Sequence, residues 1–242
     1  MVKDLPDYTR EMLIKYTGGF IGLEELATRL GFPGPFDLRG NVIFMDNFES
    51  ELTEWADAST GGTGYIARSS ARKFSGDWSL KLYNSGIAGE IATAEHDVCP
   101  AGIGKYGVFA RFGYDGNCQK LTLGINIRDG VREYEAEVRY NLATKQLIVL
   151  TAGGAEHIVA SDLELLPWDV LFVPVLMTFD LSAGKYMKVY IGDLEYDVSD
   201  IDLFDVGAQT TYQGYVYVTS EATTPAAFTV YVDDIIVLKN VQ

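Results

Sequence analysis

Two adjacent carboxylates, Asp233 and Asp234, interrupt a run of strand-forming residues that ends at Lys239. Successive residues of a strand point to opposite faces, so one of these two carboxylates must point toward the core. A buried carboxylate is costly unless it is paired, hydrogen-bonded or bound to a cation. Strict alternation puts Asp234 on the same face as Val232 and therefore predicts that Asp234 is the core-side residue if that face is the core.

A second group of carboxylates lies in the middle of the chain, where Glu133, Glu135 and Glu137 alternate with Tyr134 and Ala136. Alternation puts the three on one strand face, about 7 Å apart, and two carboxylates separated by about 5 to 10 Å can hydrolyse a glycosidic bond. A row of this kind is also typical of a solvated sheet face or of a subunit contact.

Other catalytic patterns are missing from the sequence. The two histidines, His96 and His157, are not accompanied by a G-x-S-x-G elbow, and the chain has no phosphate-binding or dinucleotide-binding glycine motif. We therefore interpret the glutamate row as a polar surface and predict that the protein is not an enzyme.

Composition excludes several classes of partner. The 242 residues carry a formal charge of −15, which argues against binding to nucleic acid or to anionic membranes. The chain has no apolar run of the roughly 18 residues that a membrane span needs and no secretory signal, so we expect synthesis in the cytoplasm without export or membrane insertion. Cys99 and Cys118 could form a bridge or remain thiols.

Residues 1–40 differ in pattern from the rest of the chain. Apolar residues at helical spacing predict a short helix near residues 22–30, and the segment FPGPF at 32–36 then interrupts regular structure. From Asn41 onward the pattern alternates with period two, and Asp129-Gly130 predicts a hairpin over 119–140. We therefore predict an all-β protein: an antiparallel jelly-roll β-sandwich over 41–242, with a short, partly helical N-terminal arm over 1–40.

Three ordered segments resemble carbohydrate-binding modules and concanavalin-like jelly rolls. FMDNFES at 44–50 with Trp55 resembles their opening strand, SGDWSLKL at 75–82 a following strand, and VYVDDIIV at 230–237 their closing strand. The resemblance spans residues 41–239 and implies the same sandwich fold.

The resemblance also implies a structural calcium ion where the first and last strands meet. Calcium takes six to eight oxygen ligands, which carboxylates and backbone carbonyls near Gly76 can supply. The alternative is that these acidic side chains are exposed, or that an aspartate pairs with Arg72 or Lys81. The side chains nominated as metal ligands are Glu49, Asp77, Asp233 and Asp234.

Sugar binding in the proteins that this chain resembles requires exposed aromatic side chains beside polar groups. We nominate Trp55, Tyr134 and Tyr140 as ligand-binding residues from a wider set that also contains Tyr186, Tyr190, Tyr215 and Tyr217. An aromatic residue on an alternating strand is more often part of the core.

These observations lead to three functional hypotheses. The first is a non-enzymatic, self-assembling structural protein on the surface of a virus or phage particle (a capsid, decoration or tail component) that contacts copies of itself or other virion proteins through residues 1–40. The first alternative is a carbohydrate-binding module that binds a glycan, and the second is a concanavalin-type glycosidase that uses Glu135 and Glu137.

Overall fold

The computed structural model describes residues 40–99, 102–114, 118–165, 172–222 and 225–241. These residues form sixteen strands and one short 3-10 turn at Ala152–Gly154. The strands are β1 (Asn41–Asp46), β2 (Trp55–Asp57), β3 (Tyr65–Ser69), β4 (Ser79–Asn84), β5 (Ile91–Val98), β6 (Lys105–Tyr114), β7 (Lys120–Asp129), β8 (Arg132–Asn141), β9 (Gln146–Thr151), β10 (Ala155–Ala160), β11 (Val173–Asp180), β12 (Lys185–Ile191), β13 (Leu194–Asp197), β14 (Phe204–Ala208), β15 (Tyr212–Glu221) and β16 (Phe228–Lys239).

The strands form two antiparallel sheets that pack face to face. The first sheet has the order β13-β12-β11-β6-β16-β4-β3, with β1 also paired to β16. The second has the order β10-β9-β8-β7-β15-β5-β2, with β14 also paired to β8. The predicted all-β sandwich is confirmed. The predicted arm over 1–40, with its helix near 22–30, lies outside the described residues except for Gly40.

The core lies between the sheets and is built from the alternating residues identified in the sequence. Tyr106, Val108 and Phe112 of β6 are buried opposite Leu123 and Ile125 of β7. Because both strands alternate strictly, the residues between these point to the outer faces of the sandwich. The outer face of the second sheet therefore carries the polar residues of β7, β8 and β15.

The hairpin that joins β7 to β8 forms at the predicted position. Gly130 has φ 86°, which a glycine adopts without strain, and the Asp129 carboxylate accepts hydrogen bonds from the backbone N–H groups of Val131 and Arg132. The pairing of Arg128 with Glu133 fixes the register of the hairpin. This register determines which residues of the two strands lie side by side on the outer face.

The closing strand β16 changes partners at the two aspartates. Residues Phe228 to Val232 pair with β4, residues from Ile235 onward pair with β1, and the register against β6 shifts between Asp233 and Ile236. Asp234 has φ 52°, an uncommon backbone conformation for a residue other than glycine. Strict alternation is broken here, so the prediction that Asp234 is the core-side residue is wrong.

Two further observations concern the chain as a whole. Cys99 is exposed and Cys118 is buried, and both are free thiols, so the bridge between them does not form. In the part of the chain that the structure describes, no helix has the length and apolar character needed to cross a membrane.

Candidate functional site

Two rows of outward-pointing residues cross four neighbouring strands of the second sheet. The first row runs from Glu95 on β5 through Tyr217 on β15 and Gly124 on β7 to Glu137 on β8. The second row runs two residues along, in the same strand order, and consists of Asp97, Tyr215, Asn126 and Glu135. We call these eight residues the polar face. Carboxylates lie at both ends of each row, and a tyrosine lies inside each row.

Tyr217 joins the two glutamates at the β8 end of the polar face. Its hydroxyl lies 2.6 Å from Oε1 of Glu135 and 2.7 Å from Oε2 of Glu137. The ring reaches β8 because it lies across Gly124, where a Cβ would be 2.1 Å from the ring carbon that bears the hydroxyl. A glycine on β7 therefore allows a tyrosine from β15 to contact both carboxylates.

The Tyr217 hydroxyl contacts two carboxylates but has only one hydrogen. It can therefore donate a full hydrogen bond to only one of them. Burial raises the pKa of Glu135 and outweighs the hydrogen bond with Tyr217 and the charge of Arg139, which lower it, while the charges of Glu137 and Glu133 raise it further. Burial likewise raises the pKa of Tyr217 well above its ordinary value. A proton on Glu135 would satisfy the phenol oxygen and leave the phenol hydrogen for Glu137.

Basic residues stand beside the polar face and pair with particular carboxylates. Arg139 of β8 contacts Glu137, and its guanidinium also lies 2.6 Å from Glu156. Arg128 of β7 lies 2.9 Å from Glu133. Glu135 makes no ion pair in the described part of the chain, so the two carboxylates that contact Tyr217 have different surroundings.

The glutamate row is less exposed than a solvated face would be. Glu133 and Glu137 are 5% and 4% exposed, and Glu135 is half-buried. The sequence predicted correctly that the three share one face. It did not predict the burial of Glu137, because that residue contacts Tyr217, which is 80 residues away in sequence. The arrangement can hold, release and transfer a proton between two carboxylates.

The three aromatic residues nominated as a sugar platform are not on this face. Trp55 and Tyr140 are 7% and 5% exposed and belong to the core, and Tyr134 is half-buried and packs against it. The Trp55 indole donates to Asp46, and the Tyr140 hydroxyl donates to the carbonyl of Leu163. The expectation that these three residues form a sugar platform is therefore corrected, because strand alternation points their side chains toward the core. Tyr215 and Tyr217 do lie on the outer face.

Two of the four residues nominated as calcium ligands, Glu49 and Asp233, bind backbone N–H groups. Oε1 of Glu49 accepts hydrogen bonds from the N–H groups of Asp77 and Trp78, at 2.7 and 2.9 Å. Asp233 accepts from the N–H groups of Phe74 and Ser75, at 2.8 and 3.1 Å. Both carboxylates therefore hold one loop between β3 and β4.

As placed, this donor set does not fit a cation. The oxygens of Glu49 and Asp233 are directed at N–H donors, and Asp234 is paired with the Arg111 guanidinium. Across the described residues, no three His, Cys, Asp or Glu side chains are grouped as a metal ion would need. The calcium ion stays a prediction.

Comparison with known proteins identifies the fold. No family model and no curated protein matches the chain. A solved endo-β-1,4-glucuronan lyase from Trichoderma reesei superposes with TM-score 0.56 at 14% identity, covering 83% of this chain and 96% of the lyase. A carbohydrate esterase from the Shiga toxin-encoding bacteriophage phi24B gives TM-score 0.48 at 16% identity, covering 84% and 100% of the two chains.

A xylan-binding domain from Paenibacillus barcinonensis gives TM-score 0.39 at 11% identity, with 84% of this chain and 97% of the domain covered. At these identities the likeness concerns the fold alone. The resemblance to carbohydrate-binding modules and concanavalin-like sandwiches is confirmed at that level. The structural neighbours are carbohydrate-binding modules and proteins that act on glycans.

The prediction that the protein is not an enzyme is corrected by these findings. It rested on the absence of known catalytic motifs and on the interpretation of the glutamate row as a polar surface. The solved endo-β-1,4-glucuronan lyase shows that a sandwich of this fold occurs in an enzyme. The row is largely buried, and two of its carboxylates contact one tyrosine hydroxyl.

Proposed function

We propose that the protein binds a glycan across the polar face and cleaves it by acid–base chemistry at Glu135 and Glu137. The observation that carries this proposal is the position of the Tyr217 hydroxyl, 2.6 Å from one carboxylate and 2.7 Å from the other. The two accepting oxygens can be no further apart than these two hydrogen bonds laid end to end. A separation below that limit favours the close carboxylates of retaining glycosidases, about 5 to 5.5 Å apart, over the wider spacing in inverting enzymes.

The surroundings of the two glutamates suggest different roles for them. Glu135, whose pKa burial raises, would hold a proton and give it to the leaving glycosidic oxygen. Glu137, which contacts the Arg139 guanidinium, would attack the anomeric carbon and form a covalent bond to the sugar. Water would then break that bond, with Glu135 taking the proton back. Tyr217 would hold both carboxylates in position.

Two tyrosines support binding of a sugar chain at this place. The rings of Tyr215 and Tyr217 are 6.0 Å apart, and Tyr215 is half-buried. A pyranose ring packs well on an aromatic ring when polar groups nearby satisfy its hydroxyls. Glu95, Asp97 and Asn126 supply such groups from the same two rows.

The direct test is product release from a panel of soluble polysaccharides. The unmodified protein should release reducing ends from at least one glycan, and Glu135→Gln and Glu137→Gln should each lower the rate by at least about 100-fold. Glu164→Gln is the matched control, because Glu164 is an exposed carboxylate that pairs with Lys145 off the polar face. Equal rates for all three variants would place cleavage elsewhere, and no release by the unmodified protein would remove the catalytic proposal.

Binding without cleavage is the second candidate function. The Tyr217 hydroxyl fills the space between the two carboxylates, and this is where an anomeric carbon would have to enter. If the ring does not move, the polar face can hold a glycan without cleaving it. Binding of an oligosaccharide that survives prolonged incubation unchanged would support this function.

Assembly on a virus or phage particle remains a prediction, as do synthesis without export and contacts through residues 1–40. A glycan-binding face would be compatible with such a location. Light scattering on the whole chain and on a chain that lacks residues 1–39 tests the assembly. The prediction requires an oligomer that dissociates when those residues are removed, and a monomer in both cases would contradict it.

A further inference from the structure

Asn126 has an amide oxygen that is buried without a hydrogen-bond donor. The residue is 3% exposed, and its Oδ1 has no partner. Its neighbours in the strand, Ile125 and Ile127, are in the core, so Asn126 points to the outer side of the sheet. A buried carbonyl oxygen without a donor is destabilising, and a ligand with an N–H or O–H group would supply the missing hydrogen bond.

The residues on either side of Asn126 add acceptors and an aromatic ring. In the strand pairing, Asn126 lies opposite Glu135 on one side and Tyr215 on the other. Oε1 of Glu135 contacts the Tyr217 hydroxyl, whereas its second oxygen has no hydrogen bond or ion pair among the described residues. The three neighbours therefore present two acceptors beside an aromatic ring.

The charge of the polar face has one sign. Its two rows contain the acidic side chains of Glu95, Asp97, Glu135 and Glu137 and no basic side chain, so the face stays acidic even when Glu135 holds a proton. Two arginines stand next to the face: Arg139 contacts Glu137, and Arg128, which pairs with Glu133, lies near Tyr215. Glu95, Asp97 and Glu135 have no ion pair within the described part of the chain. An anionic sugar such as a uronate would be repelled here, whereas a ligand with donors and positive charge would be attracted.

We infer that the polar face recognises a protonated amino sugar, with the ammonium group between Asn126 and Glu135 and against the ring of Tyr215. An ammonium group has three N–H donors and no acceptor, so it can donate to both oxygens. A cation within about 6 Å of a tyrosine ring centre gains further attraction. The inference rests on the proposal that this face takes glycans, and it adds the chemical class of the sugar.

Calorimetric titration with four oligosaccharide probes of equal length tests the inference. The probes are β-1,4-linked glucosamine, its N-acetylated form, glucose and glucuronate. We expect glucosamine oligomers to bind at least about tenfold more tightly than the other three, because only they carry an amine that can form charge-assisted hydrogen bonds. The N-acetylated probe has a similar ring without the positive charge.

Variants at Asn126 separate recognition from general attraction to an acidic protein. Asn126→Leu keeps the net charge and should weaken glucosamine binding about tenfold, whereas Asn126→Asp keeps an acceptor, adds charge and should strengthen it. Glu164→Gln, off the face, should bind as the unmodified protein does. If Asn126→Leu folds and binds glucosamine normally, the attraction is non-specific and the inference is wrong.

The remaining outcomes separate this inference from the proposed function. If the neutral probe binds as tightly as the glucosamine probe and Tyr215→Ala abolishes both, the face takes glycans but does not select an amine. Tight binding of the glucuronate probe would also overturn the inference and leave glycan binding intact. If none of the four probes binds and no polysaccharide in the wider panel is bound or cleaved, both proposals fail.

Discussion

The ring of Tyr217 lies directly over Gly124, with the hydroxyl oxygen only 2.4 Å from the point where a Cβ would stand. The two residues are paired across β15 and β7, and the tyrosine uses the missing side chain to reach the next strand. Its contact with Glu135 and Glu137 therefore depends on Gly124, which has no side chain.

Gly124→Ala should uncouple the two glutamates from Tyr217. The backbone of Gly124 does not have a positive φ, so alanine fits the strand, but the new methyl group displaces the phenol ring. We expect a loss of activity or binding of about 10-fold or more in the polysaccharide assays, because a small misplacement of a catalytic group is costly. A melting curve should show that the fold is kept.

Gly107→Ala provides the comparison for this variant. It also adds a methyl group to a central strand, 3.1 Å from a Val241 side-chain carbon, but on the first sheet. Activity should be unchanged. If both alanine variants lose activity equally, general loosening of the sandwich rather than displacement of Tyr217 is responsible.

Tyr217→Phe should destabilise the protein in a pH-dependent way. Removal of the hydroxyl leaves two buried carboxylates without their shared donor, which costs about 1–3 kcal/mol when both are ionised. The deficit should narrow as the pH falls and one carboxylate takes up a proton. Urea unfolding of both proteins at pH 5 and pH 8 measures it, and a deficit that is equal at the two pH values would contradict the shared-proton arrangement.

Asp233 should make the protein less stable as the pH rises. Burial, together with the charge of Asp234, raises the pKa of Asp233 from 3.8 to about 7. Between these values the folded protein holds a proton that the unfolded chain has released. Stability therefore falls by about 1.4 kcal/mol per pH unit from this group, and the contribution is constant above about pH 7.

Asp233→Asn removes this titration and keeps one acceptor for the N–H groups of Phe74 and Ser75. The free energy of unfolding of the variant should depend less steeply on pH between 4 and 7 than that of the unmodified protein. Urea titrations at four pH values across that range give the two slopes. If the free energies of unfolding of the two proteins depend on pH with the same slope, Asp233 has an ordinary pKa.

Removal of only one partner of the Arg111–Asp234 ion pair should lower the free energy of unfolding strongly. The side chains are 4% and 19% exposed, and the guanidinium also lies 3.7 Å from the centre of the Phe74 ring. Arg111→Met leaves both aspartates without their cation and should cost about 3–5 kcal/mol in urea unfolding. The double variant Arg111→Met with Asp234→Asn should recover part of that loss. No recovery would mean that packing on Phe74, rather than charge, is the main contribution of Arg111.

Local patterns were sufficient to predict most of the fold. Asp129-Gly130 predicted the β7–β8 hairpin, because only a short turn with a positive φ joins two such alternating strands. Alternation also placed Glu133, Glu135 and Glu137 on one face correctly. The break in alternation at Asp233 and Asp234 was not predictable, because it arises where β16 changes from β4 to β1.

The candidate site could be predicted only in part, since it is assembled from distant strands. Tyr215 and Tyr217 were recognised as aromatic candidates, but alternation alone does not tell which face of β15 is the core. Gly124 and Asn126 carry no signal by themselves, and their importance comes from the pairing of β7 with β15 and β8. Trp55 and Tyr140 were nominated instead because their burial, which depends on how the two sheets pack, could not be predicted from the sequence.

Mapping a bound oligosaccharide by NMR tests the central claim most directly. The isotope-labelled protein would be titrated with neutral, amino and acidic oligosaccharides, and amide shifts would be followed for every strand. We expect the shifts for the ligand that binds to be concentrated on β5, β15, β7 and β8, with the largest at Tyr215, Asn126 and Glu135. Shifts concentrated on the first sheet, or none with any oligosaccharide, would contradict a glycan site on the polar face.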